Sequence, residues 1–215
     1  MGEPSAARPG RRGPRRPWSD RERLLLDELE RMFLAEGFAG LTVADLAGRL
    51  RVSRSTLYRL AKGKQELAEL VIDRMFDRMG TRGLAAVEEA TDPAARVAAY
   101  LGYGVATVRA GGPRFSRDLE ESPGTRAVYD RHQAIGMGVL AGLVEDGTRS
   151  GGFRRVPAAL VVQVADAAYA RLRDPGVLAA LGMTHAEAVD DLIAILLGGI
   201  AGRGAATPRP GEAAG

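Results

Sequence analysis

Two helix-start signals lie close together at Thr42 and Ser53, and the residues between them leave room for only one short helix and a tight turn. Thr42 and Asp45 form a T-x-x-D capping box, and Ser53 is an N-cap for the helix that follows. The turn falls at Leu50 to Val52. Val43, Leu46, Ala47, Leu50, Val52, Leu57 and Leu60 make one apolar face across both helices, with Ala47 small enough for close approach. The second helix can therefore dock on the first while its other face stays free. That free face carries Ser53, Arg54, Ser55, Thr56, Tyr58 and Arg59, side chains that reach phosphate oxygens and base edges when a short helix enters the DNA major groove. The pattern predicts a helix-turn-helix.

A helix of about seven residues is too short to be stable alone in water, so the motif needs support from its neighbours. Ser19 and Glu22 form a second capping box, predicting a helix to about Gly37 with Leu25, Leu29, Met32 and Phe33 inward. A fourth helix is predicted from Lys64, behind Gly63, through Leu67, Leu70, Val71, Arg74 and Met75 toward Gly80. Lys64 and the free amides at its start offer a phosphate site.

The string T-V-x-x-L-A-x-x-L-x-V-S-x-x-T-L-Y-R over Thr42–Arg59, followed by K-x-E-L from Lys64, resembles the TetR family of one-component transcriptional repressors. The match is specific over Arg21 to Met79 and looser beyond, where it rests on an all-helical layout and on Phe115-Ser116-Arg117-Asp118-Leu119 followed by Pro123. Two positions depart from the family pattern. The aromatic pair that usually follows Tyr-x is here Leu60-Ala61, and the turn glycine is Arg51, where a positive φ costs about 1 kcal/mol. Carried onto matching positions, the resemblance implies phosphate contacts from Thr42 and Tyr58 and base contacts from Arg54, Ser55 and Thr56.

Charge follows the motif. Residues 1–64 hold fourteen basic and eight acidic side chains, although the whole chain is only +3, so positive potential is concentrated at the predicted reading unit. Arginine outnumbers lysine by 28 to 2 throughout, which makes arginine identity weak evidence at any single site. Residues 1–17 carry five arginines among prolines and glycines with no apolar periodicity and read as a disordered basic arm. Arg11, Arg12, Arg15 and Arg16 either follow the minor groove or backbone of DNA, or form a solvated tail. The Ala/Gly/Pro-rich segment 204–215 reads as a disordered tail.

From Asp92 onward the sequence predicts five helices and no strand, at about 93–110, 113–121, 125–149, 157–173 and 185–201, separated by Gly/Pro turn signals such as Gly111-Gly112-Pro113 and Asp174-Pro175-Gly176. The last two are apolar on more than one face: Leu160, Val161, Val162, Val164, Ala165, Ala168 and Leu172, then Val189, Leu192, Ile193, Ile195, Leu196, Leu197 and Ile200. Either they are central in a monomer or, as the resemblance implies, two helices from each subunit form a four-helix homodimer interface. His132 falls on an apolar stripe with Val128, Ile135 and Val139. Tyr100, Tyr103, Phe115, Tyr129 and Tyr169 are spread over the same helices, and with His132 they either line a small-molecule pocket or fill the core.

Enzyme chemistry finds no foothold in the sequence. Cysteine is absent, and the two histidines, His132 and His185, show no metal-ligand spacing. No Walker loop, dinucleotide fingerprint or nucleophile elbow occurs, and no cofactor is expected. No apolar run reaches the roughly 18 residues of a membrane span, which predicts a cytoplasmic protein. The expected architecture is all-α: a three-helix DNA-binding domain at 18–63, then a helical effector-binding and dimerisation domain at 64–203. The expected function is a ligand-responsive regulator, a repressor, that binds a pseudo-palindromic double-stranded operator and is released by a small-molecule effector. The rivals are an effector-free DNA-binding dimer, and a helical enzyme or binding protein whose helix-turn-helix is structural.

Overall fold

The structure is a computed structural model that describes residues 17–202, including all side chains of that span except those of 105–109. Apart from Pro17, the basic arm assigned to 1–17 lies outside the described residues, as does the 204–215 tail. Ten helices follow in order: α1 Asp20–Glu36, α2 Val43–Arg49, α3 Arg54–Leu60, α4 Lys64–Glu89, α5 Pro93–Ala110, α6 Pro113–Glu121, α7 Pro123–Arg149, α8 Ala158–Leu172, α9 Pro175–Leu181 and α10 His185–Ile200. Among the described residues the extended structure is limited to one isolated antiparallel bridge, Phe153 to Ala201. No helix of the described residues is long and apolar enough to cross a membrane.

The helix starts are chemical. Ser19 with Glu22, Thr42 with Asp45, and Thr184 with Glu187 form reciprocal capping boxes at α1, α2 and α10, each satisfying amides that the first turn leaves without partners. Inside the head, Leu26, Leu29, Leu46 and Leu57 are almost wholly buried and pack with Leu67, Val71 and Ile72 of α4. One core thus joins α1–α3 to the base of α4. A second core gathers Val87, Val97, Leu140, Val144, Phe153, Val161, Leu197 and Ile200 from α4, α5, α7, α8, α10 and the α7–α8 connection.

Two expectations need correction. Helix α4 does not end near Gly80 but continues to Glu89. A glycine inside a helix costs only about 1 kcal/mol, and Gly83 is a close-approach site: a Cβ there would lie 3.1 Å from the Tyr100 ring of α5. The Asp174-Pro175-Gly176 turn signal hides helix α9. Asp174 caps it, accepting from the Gly176 amide at 2.8 Å, Pro175 occupies the first turn, and Gly182 ends it at φ 65.

The excess apolar surface of α8 and α10 divides between two faces. Val161, Ala165, Leu197 and Ile200 are buried in the second core, and Leu196 packs against it. Leu160, Val164 and Ile195 are 55%, 49% and 71% exposed.

Candidate nucleic-acid interface

The recognition segment is held from below and open above. The turn between α2 and α3 closes through Arg51 N–H to the Gly48 carbonyl at 3.2 Å and Val52 N–H to the Ala47 carbonyl at 3.0 Å. It places Arg51 at φ 53, the sole non-glycine residue with positive φ among the described residues. The side chain in the family's glycine position is therefore accommodated in the left-handed region. Ser53 caps α3, its Oγ accepting from the Thr56 amide at 3.2 Å. The same Oγ lies 2.8 Å from Ser55 Oγ and 2.9 Å from Thr56 Oγ1, so three hydroxyls share one cluster at the start of the helix. Leu57 is the one fully buried anchor of α3. Arg54, Ser55, Tyr58 and Arg59 are exposed, with Thr56 half-buried.

Arg51, Arg54 and Arg59 form no ion pair among the described residues. Other arginines of the head are spent differently: Arg49 pairs with Glu36, Arg23 with Asp20 and Arg31 with Glu28. A cleft of about 290 Å³ at the far end of the bundle is lined by Pro93, Arg96, Leu143, Asp146, Gly147, Arg149 and Ser150. A second cleft, about 250 Å³, lies beside the reading helix between Ser19, Arg21, Glu22 and Leu25 of the α1 start and Thr56, Arg59 and Leu60.

The remaining predicted DNA contacts have other work in the free protein. The Thr42 hydroxyl donates to Asp45 at 2.6 Å and accepts from the Asp45 amide at 3.1 Å. The hydrogen bonds from Thr42 hold the Asp45 carboxyl below its usual range. Lys64 donates its Nζ to the Ala39 carbonyl, and two further N–H donors stay available on the ammonium. At the start of α4, the Glu66 carboxylate accepts from the Lys62 amide at 2.7 Å, so a carboxylate of the chain itself already sits at that positive helix end.

The predicted ligand residues fall into separate groups. Phe115 of α6 belongs to the head core, its ring edge-on to Phe38 at 6.3 Å. Tyr129 and His132 of α7 flank Phe76 of α4, at ring distances of 5.6 and 5.5 Å. Arg173 lies 5.3 Å from the centroid of Tyr129, and the Tyr169 ring lies 5.7 Å from that of His185, tilted by 46°. Burial, with the Tyr169 phenol beside it, pushes the Tyr129 hydroxyl far above its ordinary value. Burial, aided by the Arg173 charge, lowers the His185 imidazole. Tyr100 packs in the second core against Gly83, and Tyr103 is exposed. Neither cleft described above is lined by these residues.

Sequence reading did not foresee two polar features. Asp27 and Glu30 of α1 meet Arg74 and Arg78 of α4 at 2.5–2.8 Å for their closest pairs. Asp73, Asp77 and His132 offer donor atoms within 4.8 Å of one another, a spacing a metal ion could bridge. Asp73 is already engaged, however, by His132 Nε2 at 2.8 Å and by Arg131 at 2.5 Å. Asp73 and Asp77 lie one helical turn apart on α4, while the histidine comes from α7, so sequence spacing alone carries no sign of the cluster.

Residues 25–71 match the family model described as bacterial regulatory proteins, tetR family. No curated protein matches the chain in sequence. Solved structures match over nearly their whole length. The fatty acid degradation regulator FadR from Bacillus halodurans superposes with a TM-score of 0.66 at 14% identity, covering 85% of this chain and 97% of that one. NemR of E. coli in its reduced form gives 0.65 at 16% identity, covering 84% and 97%. A transcriptional regulator from Saccharomonospora viridis in complex with choline gives 0.65 at 16% identity, covering 83% and 96%. Identities this low speak for the fold alone, and the likeness to the family rests on the match over residues 25–71. Over residues 25–71, which hold the helix-turn-helix, the chain is similar to the tetR family of bacterial regulatory proteins, and the helical fold around that segment is the one these solved structures share.

Proposed function

We propose that the protein is a homodimeric repressor that reads a pseudo-palindromic operator and is released by a small molecule. The observation that carries this reading is the α3 face, where Arg54 and Arg59 stand exposed and unpaired among the described residues beside the Ser53–Ser55–Thr56 hydroxyls. Arg54, Ser55 and Thr56 are the base readers. Thr42, Ser53, Tyr58, Arg59 and Lys64 contact the phosphate backbone and fix register. The head spans 18–63, the effector-binding and dimerisation domain 64–203, and the basic arm adds counterion release.

One reading helix per chain covers half of a twofold site, so a partner is required. Leu160, Val164 and Ile195, exposed on two adjoining helices, supply an apolar surface for it. An effector would bind near Tyr129, His132 and Tyr169, where α4, α7 and α8 meet. The structurally similar Saccharomonospora viridis regulator was solved in complex with choline, which supports a small-ligand reading. A dimer without an effector is the second reading, favoured by the packing of Phe76, Tyr129 and His132 against one another.

Selection of bound duplexes from a random DNA pool tests the proposal. Enrichment of two inverted half-sites about one helical turn apart is expected. Failure to enrich any sequence would overturn it.

A further inference from the structure

Helix α6 grips the head on one face and the bundle on another. A single oxygen, Asp118 Oδ2, accepts from the Phe38 amide at 2.5 Å and the Ala39 amide at 2.7 Å. These two amides follow the end of α1 in the connection leading to Thr42 and α2. Gly37 is shaped to the same contact: its φ is 80, and a Cβ there would stand 2.5 Å from Asp118 Oδ2. Alongside, Gly112 N–H donates to the Leu34 carbonyl at 2.9 Å and the Phe115 ring lies edge-on to Phe38. Lys64 donates to the Ala39 carbonyl, so Ala39 is held through both its N–H and its C=O. Two residues beyond Asp118, Glu120 pairs with Arg126 of α7 and, at 3.2 Å, with Arg173, the residue over the Tyr129 ring.

We propose that Asp118 is a positioning residue for DNA reading: its carboxylate, carried by α6, holds the α1–α2 connection and hence the helix-turn-helix at a placement set by the helical bundle. The linkage runs beside α4. Charge-assisted bonds to two backbone amides form a strong, directional joint, and the Glu120–Arg173 pair ties the opposite face of the last turn of α6 to the aromatic cluster. This deepens the ligand-release reading and rests on it for purpose, because a shift at Tyr129 or Tyr169 would reach the head through α6.

The test uses the full chain, amide hydrogen exchange and affinity for the selected duplex. Asp118→Ala should speed exchange at Phe38 and Ala39 by about tenfold or more and weaken DNA binding by about tenfold, with Asp118→Asn intermediate because its carbonyl oxygen still accepts. Glu120→Gln should weaken DNA binding in the wild-type background and have less than about a twofold effect in the Asp118→Ala background, the non-additivity of coupled residues. Should Asp118→Ala fail to fold, the same cycle with Asp118→Asn decides. Unchanged exchange at Phe38 and Ala39 would overturn the proposal, as would equal Glu120→Gln effects in both backgrounds, which would reduce Asp118 to a local contact. The exchange measurement needs no operator, so it decides the clasp even if no duplex is selected.

Discussion

Arginine is used in opposite ways in the α1–α4 seam and on α3. In the seam, Arg74 and Arg78 are turned onto Asp27 and Glu30, and Glu30 is only 8% exposed. Burial there works to raise both carboxyls. At Asp27 the Arg74 hydrogen bond and the two arginine charges outweigh it and the carboxyl is lowered, whereas at Glu30 burial prevails and it is raised. On α3, Arg54 and Arg59 meet no carboxylate among the described residues and stay in solvent. A buried charge is tolerated only when paired, while a guanidinium that is to bind phosphate or guanine gains from having no internal partner. Partnership, which depends on three-dimensional packing, therefore distinguishes the seam arginines from those of α3 in a chain where residue type does not.

The sharpest way to break this contrast is to add a charge where the surface is apolar and unpaired. Ile195→Arg should leave the fold intact, since Ile195 is 71% exposed, yet abolish dimerisation and operator binding together by burying an unpartnered charge between subunits. Sedimentation checks it, and a wild-type dimer would show that α10 faces elsewhere. Leu196 would be a poorer probe because it packs into the second core.

Smaller effects sharpen the comparison. Tyr58→Phe removes an exposed hydroxyl and should weaken binding to every duplex by about 1 kcal/mol, measured by titration across operator variants. Asp73→Asn should cost about 1 kcal/mol of stability at neutral pH. The His132 hydrogen bond, ahead of Arg131, holds the Asp73 carboxyl below its usual value against the effect of burial. Its contribution is therefore present above the unfolded carboxylate range and lost as pH falls through the lowered folded value. Urea titrations should show a shallower acid limb in the Asn variant. Smallest is a pair of glycines on α4: Gly80→Ala, with open space around it, should stabilise by up to about 1 kcal/mol. Gly83→Ala should lose that gain against Tyr100, and the two melting temperatures give the comparison.

The head was largely legible because its signals are local. Capping at Ser19, Thr42 and Ser53, and the positive φ at Arg51, are decided within a few residues of chain, and the structure has all four. The extent of α4 and the presence of α9 were not legible, because Gly83 answers to a tyrosine on another helix and Asp174-Pro175 serves equally as a stop or a start. Asp118 could be noticed only as part of a short family-like stretch, since its partners lie about eighty residues away. The aromatic candidates were individually visible, but sequence periodicity does not tell which helix their rings face.

Arg54, unpaired on α3, is the proposed base-reading arginine, and Arg49, paired with Glu36, is not. Affinities of Arg54→Ala and Arg49→Ala for the selected duplex and all its single-base variants test it most directly. Arg54→Ala should lose about 1 to 3 kcal/mol and with it the preference at one base position per half-site. Arg49→Ala, which removes only the pair with Glu36, should keep the full base preference. Equal loss of base preference in both variants, or none in Arg54→Ala, would contradict the account.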